Sequence, residues 1–505
     1  MFLNNILKKN QTKFQNLNTV LITVLCLLFI FFNYSELGVF ADDIGTIYFL
    51  DKINSLKELF IYSHNWDAAR DLHLIWQQLF IKISKPEIIK QLHFYQILIY
   101  IINALILFLI LRQLGIEKNN SYICTIFFLF FPLYAEVVFW THAFTMVLIS
   151  TTFFLLFLLI NIKLTRNLKK YERIIYNFLS IIFLLLNLFT YEQAIVVSLI
   201  IILLREFILI RKKKVIEINN YISILIYFLI IFLFSYYKLY EAGTFTKNSQ
   251  LYFTGSKISN YDQFFKNIIH GYGIYILELI NFNLDILKLI SKEKILIFIV
   301  SVLMFIKLNS NSVSYKSYNL DNVYLKIFIC FIFYTLSLLP LYIHYISDRH
   351  FYLPSIFALI GMGLILNIFS KKNFKKKFFK IIFSSCVCLF LLSTMVNFDN
   401  QREQYIENYK LKKNFYKNLS NIEGIKNREF IVLMNFPDLY KKTIFFAHEQ
   451  VEAMKFKLKN ENYPLILKNE ELNKKNSIYV KFIKIYNNNI VYESYASEHF
   501  KTTKN

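Results

Sequence analysis

Long apolar runs recur along most of this chain, and they constrain its fold more than any other feature. Runs of about 17–25 apolar residues are long enough to cross a hydrocarbon core of about 30 Å. The chain has 505 residues, of which 56% are hydrophobic and 18% are charged. A soluble protein cannot bury that much apolar surface, so the sequence predicts an all-α polytopic membrane protein.

Membrane topology accounts for the net charge of +23. Lysine and arginine concentrate in short segments between the apolar runs, for example at 163–173 and 211–214. Such segments stay on the cytoplasmic side by the positive-inside rule. We therefore expect membrane lipids as partners and no nucleic acid.

The apolar runs predict about eleven spans in the plasma (inner) membrane, and the same rule gives the direction of each span. A retained first span carries the chain outward, and residues 35–91 then form a first outer loop. Residues 241–290 form a second outer loop with an interfacial helix, and the membrane domain covers residues 1–397. Spans with assigned bounds are expected at about residues 20–32, 94–111, 121–138, 144–162, 221–240, 295–305, 323–343, 351–369 and 381–396.

The tail, residues 398–505, differs in composition from the membrane domain. Residues 398–427 predict a polar helix, and alternating residues predict strands at 429–435, 477–485 and 490–495. We expect a small α+β domain on the outer (periplasmic) side. All five cysteines lie in apolar runs, which favours a place in the core and no disulfide framework.

Asp42 and Asp43 stand directly after the first apolar run. Adjacent carboxylates at the mouth of a membrane helix repel one another and are costly near hydrocarbon. Such a pair suits a general base, or a ligand for a divalent cation such as Mg²⁺ or Mn²⁺. The alternative is an acidic loop that merely ends the helix.

Other unusual polar residues fall at the same outer depth: Arg70, His73, Glu136, His142, Glu192, Asp348, Arg349 and His350. Each has a structural alternative, such as a cap at Glu136 with Trp140 as an aromatic anchor, or interfacial histidines. Mid-span positions are expected to be nearly free of ionisable groups. This distribution favours catalysis on a lipid phosphate at the membrane surface over transport.

Short blocks of sequence resemble the GT-C fold glycosyltransferases. The likeness is to the protein O-mannosyltransferase-like branch that includes the transmembrane-and-tetratricopeptide mannosyltransferases, although their repeats are missing here. The similar blocks are Asp42-Asp43, Ser63 to Arg70, His93 to Asn103, Pro132 to Trp140, Tyr191-Glu192-Gln193 and Asp348 to Ser355. The sequence departs from the family pattern at Asp71, where proline is usual, and at Tyr191, where lysine is usual.

The resemblance implies transfer of a sugar from a polyprenyl-phosphate donor to a hydroxyl of a protein, lipid or glycan acceptor, with inversion. It implies that Asp42 or Asp43 is the base or holds the cation. Arg70 and Arg349 would stabilise the departing phosphate. Glu136, Glu192, Asp348 and His73 would support these groups.

Three other interpretations stay open. A lipid-linked saccharide flippase or other transporter would carry ionisable residues deep in its bundle. An O-antigen ligase or polymerase would have its large outer loop in the C-terminal half. A membrane scaffold would make the outer charges dispensable.

Overall fold

A computed structural model gives the structure of part of the chain. The described residues are 37, 47, 50–51, 53–67, 71–85, 87–131, 134–166, 168–213, 218–244, 321–338, 348–371, 377–420, 430–434, 439–440, 443–444, 465–468, 477–486 and 489–496. The predicted first span, the interfacial helix of the second loop and the predicted span at 295–305 lie outside them.

This part of the chain is mostly helical. The helices are α1 (Leu56–Asp67), α2 (Asp71–Ile83), α3 (Ile88–Gln113), α4 (Lys118–Phe130), the short α5 (Ala135–Phe139), α6 (Ile149–Leu164), α7 (Lys170–Thr190), α8 (Ile195–Lys213), α9 (Ile218–Thr244), α10 (Asp321–Leu338), α11 (Tyr352–Lys371) and α12 (Lys377–Ser420). Short turns join them: an α-helical turn at Thr141–Ala143, a π-helical turn at Phe144–Leu148 and 3₁₀ turns at Glu192–Ala194 and Asp348–Phe351.

Four helices in the described part are long and apolar enough to cross a membrane: Ile88–Gln113, Phe144–Leu164, Lys170–Thr190 and Glu192–Arg211. They support a membrane protein, whereas the count of eleven spans stays a prediction. Leu225, Phe228 and Phe232 on α9 are each more than half exposed. Exposed apolar residues of this size suit contact with lipid chains.

The helices alternate in direction, which gives the bundle two ends. We call one the Lys170 end; Gln113, Leu164 and Lys213 lie there. The other is the Glu192 end, where α3 begins and α7 ends. At the Lys170 end Asn367 of α11 accepts from Asn120 Nδ2 at 2.7 Å and donates to Gly115 O at 3.3 Å.

Gly115 makes the turn between α3 and α4. Its φ of 84° lies in the left-handed region, which glycine adopts without steric cost. The Ile116 N–H donates to Leu111 O at 3.1 Å and the Gly115 N–H donates to Arg112 O at 3.2 Å, the Schellman pattern that closes a helix.

The predicted single span at 121–138 is wrong as one helix. The α4 helix ends at Phe130, and Phe131 takes extended angles of −72° and 123°. Phe131 precedes Pro132, and a residue before proline is pushed out of the helical region. The chain resumes as α5 after this break, so Glu136 lies on a separate short helix.

The predicted span at 381–396 and the predicted polar helix after it form one helix, α12. Its Phe398 ring lies 5.1 Å from the Phe139 ring of α5, and Tyr405 lies 5.7 Å from that ring. The α12 helix therefore leaves the bundle at the Glu192 end. The predicted domain boundary, residue 397, falls inside it.

Six strands are described beyond Ser420: β1 (Phe430–Met434), β2 (Leu439–Tyr440), β3 (Thr443–Ile444), β4 (Leu465–Lys468), β5 (Ser477–Tyr486) and β6 (Asn489–Ala496). A four-stranded sheet has the order β4-β1-β5-β6, with β1 parallel to both neighbours and β5 antiparallel to β6. The strands fall near the predicted ones, while the α+β domain and its outer location stay predictions.

Candidate functional site

The structure describes the predicted site residues unequally. Asp42, Asp43 and Arg70 lie outside the described residues, and so do the side chains of His142, Asp348 and Arg349. His73 is buried on α2, with 1% of its surface exposed. Glu136 on α5 and Glu192 in its 3₁₀ turn are partly exposed.

Three of the sequence blocks meet at the Glu192 end. The α7 helix stops at Tyr191, whose extended angles of −161° and 124° redirect the chain into the Glu192 turn. Gln193 Nε2 then donates to His350 O at 2.7 Å. The rings of Tyr191 and His350 stack at 6.5 Å and 13°. The Asp348–Phe351 turn also contacts α5, so the backbone of Arg349 lies near both glutamate-bearing segments.

A fourth block, on α3, holds α5 in place. Gln96 is fully buried, and its Nε2 donates to Val137 O and Trp140 O, each at 3.0 Å. His93 Nδ1 donates to Gln96 Oε1 at 3.0 Å and so orients the amide. Trp140 is 5% exposed, which excludes it as an aromatic anchor facing the membrane interface.

Deeper in the bundle, Asn103 joins three elements. Its Nδ2 donates to Leu148 O of the π-helical turn at 3.0 Å and to the Tyr352 hydroxyl at 3.2 Å. Its Oδ1 accepts from Thr152 Oγ1 at 2.7 Å. These bonds rigidify the bundle beneath the Glu192 end, because the groups involved are buried or partly buried and satisfy one another.

The α2 helix closes one side of this end. Trp76 Nε1 donates to Thr190 Oγ1 at 3.3 Å, beside the Tyr191 block. The Phe80 ring lies 4.9 Å from Phe144 of the π-helical turn. His73, one turn before Trp76 and Gln77, is thereby held in the protein interior.

One buried ion pair lies within a candidate span, although mid-span positions were expected to be nearly free of ionisable groups. Arg205 and Glu206 lie inside the candidate span Glu192–Arg211, and each is only 3% exposed. They form a buried ion pair near the Lys170 end, with Nη2 at 2.5 Å from Oε1. An Arg-Glu dipeptide in an apolar run is visible in the sequence and was the signal for it.

The described arrangement supplies carboxylates and a rigid frame, with the backbone of an arginine between them. Among the described side chains there is no group of three or more potential metal ligands. The cation hypothesis concerns Asp42 and Asp43, which lie outside that part of the chain.

Comparisons with known proteins assign this chain to no family. No protein-family model matches the chain, and no curated protein matches it. The resemblance to GT-C glycosyltransferases therefore rests on the sequence blocks alone.

Proposed function

We propose that this protein is a membrane glycosyltransferase of the GT-C type, protein O-mannosyltransferase-like, working at the Glu192 end of the bundle. Its donor is a polyprenyl-phosphate sugar, and its acceptor is a hydroxyl of a protein, lipid or glycan. In this proposal the reaction takes place on the outer face of the membrane, which follows from the positive-inside rule.

One observation supports the proposal most directly. Four blocks that are widely separated in sequence, and that resemble the family's motifs, converge at one end of the bundle. The bond from Gln193 Nε2 to His350 O at 2.7 Å joins two of them, and the two bonds of Gln96 join the other two.

The proposed reaction is a direct displacement. The acceptor oxygen forms a bond to the anomeric carbon, and the bond from that carbon to the phosphate oxygen breaks with its electron pair. Asp42 takes the hydroxyl proton, with Asp43 as the alternative base. Arg349 and Arg70 stabilise the phosphate that leaves, since a guanidinium offers a planar pair of donors to phosphate oxygens. Glu136, Glu192 and Asp348 position the arginines or the acceptor.

The test is sugar transfer in membranes that contain the full-length protein. A panel of radiolabelled polyprenyl-phosphate sugars is offered to wild type, Asp42→Asn and Asp43→Asn. We expect label in product with wild type and a loss of about 100-fold or more in the variant that removes the base. Asp51→Asn is the matched control, since Asp51 follows in the same segment but pairs with Lys85 at 2.6 Å.

Equal labelling by wild type and both variants would remove the acidic pair from the chemistry. Loss of label in Asp51→Asn as well would point to a damaged fold of the segment. If Asp42→Asn and Asp43→Asn both kept labelling while an added Arg349→Gln variant lost it, the transferase would stand and the choice of base would be wrong.

A second candidate function has its own observation. The buried Arg205–Glu206 pair lies within a span, as expected for a lipid-linked saccharide flippase or other transporter. Such a protein would move a fluorescent polyprenyl-linked saccharide between the leaflets of a vesicle and form no glycosidic bond. An O-antigen ligase or polymerase would instead require a lipid-linked glycan as the donor in the transfer assay.

A further inference from the structure

The connection between α6 and α7 concentrates positive charge at the Lys170 end of the bundle. We call residues 163–173 the basic turn. It contains one glutamate and five cationic residues: Lys163, Arg166, Lys169, Lys170 and Arg173. The side chains of Arg166, Lys169 and Lys170 are exposed. Arg166 also reaches the turn after α3, where its Nη2 donates to Gln113 O at 3.2 Å.

None of these five cations pairs with a carboxylate among the residues that the structure describes. Other exposed lysines do so, for example Lys85, whose Nζ lies 2.6 Å from Asp51 Oδ1. The glutamate of the basic turn, Glu172, caps the start of α7 instead, because its Oε2 accepts from the Lys169 backbone N–H at 3.0 Å. The basic turn therefore keeps an excess of positive charge that an anion from outside the chain can neutralise.

An apolar stripe begins at the basic turn and continues along α7. Its residues recur at the spacing of one helix face, and each is more than half exposed. We call them the α7 stripe: Tyr171, Ile174, Ile175 and Phe178. Of the four candidate spans in the described part, Lys170–Thr190 is the least buried. A helix face of this kind suits contact with lipid chains.

Lys169 connects the positive charge to the α7 stripe. Its Nζ lies 6.0 Å from the centre of the Tyr171 ring, the first member of the stripe. Lys163 contacts another face of α7 in the same way, with its Nζ 5.5 Å from the centre of the Tyr176 ring. Tyrosine is enriched at the depth where lipid headgroups meet the hydrocarbon. A surface for a headgroup and a surface for a lipid chain thus lie side by side.

We propose that the basic turn and the α7 stripe bind an anionic phospholipid of the bilayer. Its phosphate lies at Lys169 and Lys170, and an acyl chain lies along the stripe. A phosphate without an ammonium group of its own matches these cations, whereas the ammonium of a zwitterionic headgroup would be repelled by them. By the positive-inside rule the Lys170 end faces the cytoplasm, and the cytoplasmic leaflet carries anionic lipids. The site does not depend on the proposed sugar transfer, which takes place at the opposite end of the bundle.

The test measures lipid binding to the full-length protein in detergent by native mass spectrometry. The probes are phosphatidylglycerol, cardiolipin, phosphatidylcholine, undecaprenyl phosphate and the soluble headgroup glycerophosphoglycerol. Lys169→Gln/Lys170→Gln removes two charges from the basic turn, and Lys169→Arg/Lys170→Arg keeps them. Lys85→Gln/Lys90→Gln is the matched control, because it removes the same charge near the Glu192 end, where both lysines pair with carboxylates. Thermal unfolding without lipid is measured alongside.

We expect Lys169→Gln/Lys170→Gln to bind phosphatidylglycerol and cardiolipin about 30-fold more weakly than wild type. This factor corresponds to about 2 kcal/mol, or about 1 kcal/mol for each lysine near an anionic headgroup. The arginine variant and the matched control should bind both lipids like wild type. Wild type should bind phosphatidylcholine more weakly than either anionic lipid, and glycerophosphoglycerol should not bind, since it has no chain to cover the stripe. The unfolding temperature of Lys169→Gln/Lys170→Gln should not fall, because neither lysine pairs with a carboxylate of the described chain.

Wild-type affinity in Lys169→Gln/Lys170→Gln would overturn the site. An equal loss in Lys85→Gln/Lys90→Gln would show an effect of net charge alone and would also overturn it. Phosphatidylcholine or glycerophosphoglycerol bound as tightly as phosphatidylglycerol would contradict the role of the charge or of the stripe. Undecaprenyl phosphate bound more tightly than either phospholipid would show that the occupant is a carrier lipid and that the inference is wrong. A lower unfolding temperature together with weaker lipid binding, not restored in the arginine variant, would make the two lysines structural.

Discussion

The Arg205–Glu206 pair provides a quantitative test of how the bundle is held together. Arg205 Nε donates to Glu206 Oε1 at 2.8 Å. Its other nitrogens reach neighbouring helices: Nη1 donates to Asn161 Oδ1 of α6 at 2.8 Å, and Nη2 donates to Ser223 Oγ of α9 at 2.6 Å. The guanidinium also lies 5.0 Å from the centre of the Tyr227 ring.

Arg205→Met should destabilise the protein by about 3–5 kcal/mol, the usual cost of removing one partner from a buried ion pair. Glu206 would lose its buried cation, and Asn161 and Ser223 would lose a donor, which places the expected loss in the upper half of that range. In Arg205→Met/Glu206→Met both charges are gone. Apolar replacement of a whole buried pair is often neutral or favourable, so the double variant should recover most of the loss.

The measurement is equilibrium unfolding of the purified protein in mixed micelles with increasing SDS. Arg166→Met is the matched control, because Arg166 is exposed and makes a single bond to Gln113 O at 3.2 Å; it should change the free energy of unfolding by about 0.5 kcal/mol or less. An Arg205→Met loss under about 1 kcal/mol would refute the pairing. A double variant as unstable as Arg205→Met would show that the hydrogen bonds to the other helices, and not the charge pair, dominate.

Two further predictions use the same unfolding assay. Asn103→Leu should cost about 1–2 kcal/mol, because the buried Tyr352 hydroxyl loses its amide donor, while the Thr152 hydroxyl and Leu148 O keep their bond to each other at 2.9 Å; an unchanged free energy of unfolding would contradict the role given to Asn103. Burial raises the pKa of the Tyr409 phenol, beyond the apolar part of α12, above its ordinary value of 10.0. The unfolded phenol therefore ionises first, so stability should be complete below about pH 10 and fall as the pH rises toward the folded pKa, and Tyr409→Phe should reduce this fall.

The local features of the bundle could be predicted from the sequence. The predicted span at 94–111 lies within α3, and the predicted span at 221–240 lies within α9, because an apolar run long enough to cross a membrane has no other regular structure available to it. Pro132 in the sequence indicates the break after α4, which the predicted single span at 121–138 did not include. The 44-residue α12 helix was also visible in principle, since no proline or glycine occurs between Lys377 and Ser420.

Features that depend on distant partners could not be predicted. Gln96 has its role only because α5 folds back onto α3, and Asn103 only because the π-helical turn presents Leu148 O. The parallel partners of β1 follow it only after intervening chain, so no local hairpin signal marks them. The side-chain amide of Gln77 is buried without a hydrogen-bond partner among the described residues, and no single-sequence pattern indicates this.

The position of Arg205 along α8 separates the two candidate functions. At 1.5 Å per residue it lies about 20 Å from the Glu192 turn, so the ion pair is too far away to act on a sugar there. A glycosyltransferase would need the pair only for stability, and the double variant that regains stability should regain transfer. A transporter would need the charges themselves along the path of its substrate. A double variant that is stable, yet fails to move a lipid-linked saccharide between leaflets, would therefore favour transport over transfer.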